Sequence, residues 1–132
     1  MSKSYSLNKS ERLKSVKITK DLFSEGYSVF QYPLKCIYLR VNQAVDSSGP
    51  SLLFATTASK RSFKQAVKRN RIKRHIREAY RLNKLNLYDS LKPEHGQWAL
   101  MYIYIAKNME DLSLVPRSMA KVNKKLLKEI IG

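Results

Sequence analysis

Apolar positions recur along this chain with two spacings, and the switches between them predict its elements. In residues 15–25, Val16, Thr19, Leu22 and Phe23 fall on one side of a helix, and Gly26 follows as a stop. Residues 27–42 alternate and are rich in β-formers. Tyr27, Val29 and Phe30 open a strand that Pro33 interrupts, as suits an edge or a bulge. From Leu34 to Val41 one face carries Ile37, Leu39 and Val41, the better core. The other carries Cys36, Tyr38 and Arg40, a wetter and more cationic surface. Residues 43–50 are rich in turn formers. Ser51 to Ala58 reads as a strand apolar on both faces, hence central. Ile72, Ile76, Ala79 and Tyr80 form the seam of a helix ending near Asn83, with 84–96 a loop holding at most a helical turn. Trp98 to Ile105 is a second central strand. Ser113 caps a last helix with Pro116 in its first turn and a stripe of Met119, Val122, Leu126, Leu127, Ile130 and Ile131. The order predicts an α+β fold, a single-domain α/β sandwich of about four strands and three helices.

Charge changes the picture most over Lys60–Lys84, which holds eleven Lys or Arg and one acid, Glu78. Opposite the apolar seam lie Arg71, Lys73, Arg74, Arg77 and Arg81, with Asn70 among them. A merely solvated face mixes both signs, so this one is built to meet a polyanion. The whole chain agrees, with a net charge of +16 over 132 residues. The helix lacks the bulky apolar face that a membrane-surface helix needs, which favours nucleic acid over membrane. Ser59, Lys60 and Arg61 follow a strand end, where loop residues often face a ligand. Residues 1–14 form a basic, flexible arm, leaving 15–132 as one nucleic-acid-binding domain.

Candidate chemistry is sparse. His75 lies among cations, and neither it nor His95 pairs with Cys36 at zinc-ligand spacing. No catalytic residue, metal site or bound cofactor is expected of the protein alone. The lone cysteine rules out an intramolecular disulfide and suggests a reducing, cytoplasmic setting. The start, MSKSYSLNKSERLK, has no signal-peptide character, and no apolar run approaches the roughly 20 residues that span a membrane.

The order of residues within the basic helix is more specific than its charge. Ala66-Val67 followed by RNRIKRHIREAYR (Arg69–Arg81) resembles the signature of the bacterial ribonuclease P protein component. Leu7, Lys9, Arg12 and Leu13, then LFSEG (Leu22–Gly26) and Ser59-Lys60, resemble that family in the same order. The resemblance implies a protein subunit that binds a catalytic RNA and the 5′ leader of precursor tRNA, with 15–132 as one RNA-binding domain. It would aid endonucleolytic removal of the leader, with the chemistry carried by the RNA and its magnesium ions. It also implies a left-handed β-α-β crossover around the basic helix, and a monomer in a 1:1 ribonucleoprotein. The implied RNA-facing positions are Arg69, Asn70, Arg71, Lys73, Arg74 and Arg77. Lys60, Arg61, Lys68 and Arg81 extend that cationic surface, and Phe23, Tyr38 and Arg40 would form the leader-binding cleft. Two departures stand out. Thr19 replaces the aromatic many members carry one turn before Phe23, and Ser62–Gln65 is one residue longer than its counterpart and lacks its glycine. The alternative is a ribosomal or assembly RNA-binding protein with no processing role.

Overall fold

The computed structural model describes residues 9–41 and 51–132, so the turn expected at 43–50 lies outside the described residues. Four strands, β1 (Tyr27–Gln31), β2 (Leu34–Arg40), β3 (Leu52–Ala58) and β4 (Trp98–Tyr104), form a mixed sheet in the order β1-β2-β4-β3. Helices α2 (Ala66–Ser90) and α3 (Val115–Ile131) cover one face, and α1 (Val16–Glu25) crosses the other.

Local chemistry explains α1. Ser15 caps it by accepting the Ile18 N–H at 3.2 Å. Gly26 ends it with a negative φ, so close approach and not backbone freedom selects glycine: a Cβ there would collide with Leu22 O and Ile37 Cγ2.

Both faces of β2 are buried, which corrects the expected division into core and wet faces. Cys36 and Tyr38 belong to the main core with Phe54, Tyr80 and Tyr102. Ile37 joins a smaller core with Leu22, Ala99 and Met101. Helices lie on both sides of the sheet, so both faces of β2 are covered at its middle, while Lys35 and Leu39 are half-buried and Arg40 is exposed. β3 differs from expectation in the opposite sense, pairing only with β4 at the sheet's edge. Its outer side is met by the N-terminal segment, where Arg12 bridges Phe54 and the Leu13 N–H donates to Phe54 O at 2.8 Å. Residues 9–13, part of the expected arm, are thus packed on the fold, while 1–8 lie outside the described residues.

The basic helix runs on to Ser90 rather than ending near Asn83. Lys84 is the reason. It is buried, and its Nζ donates to Glu11 Oε1 and Oε2 at 3.0 and 2.9 Å. A lysine interrupts an apolar stripe on paper, but this one is neutralised by an acid 73 residues away. α3 begins after a short 3₁₀ turn (Glu110–Leu114), so Ser113 is not its cap; Pro116 does sit in its first turn.

Strand pairing fixes the handedness of the β3-α2-β4 crossover. The Trp98 N–H donates to Ser51 O, so that residue's polar edge faces β3. Its side chain packs against the cluster beneath α2. In an ascending strand of L-residues whose side chain points at the viewer, N–H and C=O turn right. Seen from α2, the chain therefore leaves β3, passes over the front and enters a strand on its left. The crossover is left-handed, the rare hand for this unit.

Candidate nucleic-acid interface

The buried seam of α2 is Ile72, Ile76, Ala79, Tyr80, Lys84 and Leu87. With that seam down, Lys68, Asn70, Arg71, Arg74 and Arg77 are exposed, as are Lys60 and Arg61 in the preceding loop; Lys73 is half-buried at the flank. None of these eight side chains forms an ion pair or hydrogen bond among the described residues. Two other predicted positions are tied down. Arg69 donates from Nη1 to Phe63 O and Lys64 O at 2.7 and 2.8 Å. Arg81 donates from Nε to Glu78 at 3.0 Å, a bond that also holds the Glu78 carboxyl below its ordinary range. Arg69 therefore shapes the loop that leads into the helix. That loop is the departure at Ser62–Gln65, and it is pinned by buried Phe63, whose ring lies 5.9 Å from Tyr104.

The three predicted cleft residues are not brought together. Side chains alternate across a strand, so Tyr38 points away from α1 while its neighbour Ile37 points toward it. Tyr38 is buried between Tyr27 and Trp98, with ring centroids 5.9 and 6.0 Å away, and burial raises its hydroxyl pKa. Arg40 follows on the same face, with its guanidinium over Gly96. A Cβ on Gly96 would come 2.6 Å from Arg40 Nε, and its φ is +81°.

Phe23 stands elsewhere, 58% exposed on α1. α1 runs from beside β3, where Leu13 is held, to Gly26 at the start of β1. For a right-handed helix laid that way with Ile18 and Leu22 down, the flank bearing Val16, Thr19 and Phe23 turns toward Thr57, Ile103 and Lys35. These three share a row across the sheet with Phe30, in the register Phe30–Lys35–Ile103–Thr57. Thr57, Ile103 and Lys35 are half-exposed and Phe30 is 52% exposed, with Lys35 Nζ 5.3 Å from its ring. The α1 flank that carries Phe23 and this row, with Lys35 beside Phe30, form the two sides of a candidate cleft. It lies at the end of the sheet from which the loop of Lys60 and Arg61 leaves β3 for α2. Sequence reasoning missed Phe30 and Lys35 because the hairpin register, not composition, sets them in this row.

Among the described residues, no cluster of three or more His, Cys, Asp or Glu could hold a metal ion. No described helix is long and apolar enough to cross a membrane.

A family model described as Ribonuclease P matches residues 7–129. The chain belongs to this family. Among curated relatives, the "Ribonuclease P protein component" of Porphyromonas gingivalis is 36% identical over 117 residues, 89% of this chain and 83% of the relative. That of Chlorobium phaeobacteroides is 33% identical over 124 residues, 89% and 85% of the two chains. The fold resembles the ribonuclease P protein from Thermotoga maritima, with TM-score 0.58 and 21% identity over 91% of this chain and 94% of that one. It also resembles the protein from Staphylococcus aureus, with TM-score 0.55 and 18% identity over 90% and 94%.

Proposed function

We propose that the chain is the protein component of ribonuclease P and acts in removal of the 5′ leader from precursor tRNA. The observation that carries this is the match to the family over residues 7–129, which includes the cationic signature helix. The unpaired cations of α2 suit the phosphates of a folded RNA, whose bound counterions they would release. Phe23 and Phe30 suit the leader, because an aromatic face stacks on any unpaired base and a leader varies in sequence. Lys35, beside Phe30, suits its backbone. Tyr38 and Arg40 have no part in this cleft.

Cleavage itself is assigned to the RNA. Magnesium belongs with the RNA as well, since the cationic face of α2 repels a divalent cation. The protein's part is to neutralise phosphate and to place the leader, as one monomer per catalytic RNA.

The test is reconstitution of the protein with its cognate catalytic RNA and a precursor tRNA at low magnesium. Faster 5′ cleavage than by the RNA alone is expected; no gain would sink the proposal.

A further inference from the structure

A second polar site lies on the opposite face of the sheet from the cleft, between α2 and α3. Asn83, Asn86, Ala120, Asn123, Lys124 and Leu127 line a cavity of about 180 Å³ there. Asn123 is 4% exposed. Its Oδ1 accepts the Tyr102 hydroxyl at 2.6 Å, which turns that end of the amide toward the sheet. The other end, Nδ2, is buried and has no hydrogen-bond partner. A buried donor left unmet is rare in a folded protein and marks a place where an acceptor belongs.

The remaining lining narrows what that acceptor is. Asn83 gives one N–H of its Nδ2 to Ala79 O at 2.8 Å, which leaves its carbonyl oxygen as an acceptor and its second N–H as a donor. Donor from Asn123 and acceptor from Asn83 match the edge of a nucleobase, where a carbonyl or ring nitrogen neighbours an N–H. Ala120 and Leu127 give the ring apolar walls, and the exposed ammonium of Lys124 suits the attached phosphate. The cavity continues the cationic surface, since Asn83 and Asn86 follow Arg77 and Arg81 on the same helix. We propose that it takes one unpaired nucleobase of the RNA bound along α2. The proposal rests on the RNA-binding reading of that helix but not on the leader cleft.

The test uses the intact protein labelled with ¹⁵N, following its asparagine side-chain amides. Each of the four 5′-mononucleotides is added, and separately ribose 5-phosphate and inorganic phosphate. At least one nucleotide is expected to shift the Asn123 amide saturably, while neither phosphate does. Asn86→Ala and Lys124→Ala should weaken that binding. Lys121→Ala, which removes the same charge from an exposed position outside the lining, should not. In the cognate RNA complex, Asn86→Ala with Lys124→Ala should lower affinity roughly fivefold or more beyond the Lys121→Ala control. An Asn123 amide that no nucleotide moves, an equal shift with phosphate alone, or RNA affinity no lower than the control's would each overturn the proposal. Mononucleotides report on the cavity even if the chain fails to activate a catalytic RNA, so the two failures are distinguishable.

Discussion

Phe23 and Phe30 are each more than half exposed and neither supports a core, so their replacement tests binding without unfolding the protein. Phe23→Ala together with Phe30→Ala is expected to weaken leader-bearing precursor by about 1–3 kcal/mol for each stacked base lost, and to leave mature tRNA nearly unchanged. Equal losses for the two substrates, measured by titration, would refute the cleft. Tyr38→Ala is expected to behave differently. Its side chain is buried among Tyr27, Trp98 and the main core, so it should cost about 3–5 kcal/mol of stability in urea unfolding. Once Tyr38→Ala is folded, it should show no selectivity between precursor and mature tRNA. The type of residue was legible in the sequence at both sites; which face each one serves was not. One step along a strand reverses a side chain, and only the helices packed above and below say what each face meets.

The element that ties distant parts of the chain together is α2. Its N-terminal half presents the cations, and its C-terminal half anchors the segment before α1 through the Lys84–Glu11 pair. Removing one partner would take the opposite charge away from a buried ion. Glu11→Gln or Lys84→Met alone is therefore expected to cost about 3–5 kcal/mol in urea unfolding, and the double variant to recover most of the loss. Additive losses in the double variant would show that the two residues act independently. The signature half of α2 was plain from its periodicity. The extension to Ser90 was not, because Lys84 makes sense in a helix seam only once Glu11 has been folded against it.

At the scale of the whole molecule, charge and burial predict opposite sensitivities. RNA affinity should fall steeply with salt, with a log–log slope of about −0.7 to −0.9 for each phosphate neutralised. A flat response would exclude an electrostatic docking surface. Stability should instead respond to high pH. Burial raises the Tyr80 and Tyr102 hydroxyls well above 10.0, pushes Tyr104 up to about 12, and raises the Cys36 thiol. In the unfolded chain the tyrosines ionise near 10.0. Above that pH the unfolded state sheds protons that the folded state keeps, so stability present below it is lost as pH rises. The loss should approach about 1.4 kcal/mol per pH unit for each fully buried tyrosine, read as a falling urea midpoint above about pH 10. By itself the sequence determined the order of elements, the cationic helix and the family, because periodicity, charge and residue order are local properties. Tertiary structure decided the left-handed crossover, the edge position of β3 and the membership of the cleft. Each of these depends on which strand pairs with which and on the side from which a helix arrives, and such relations bring together residues far apart in the chain.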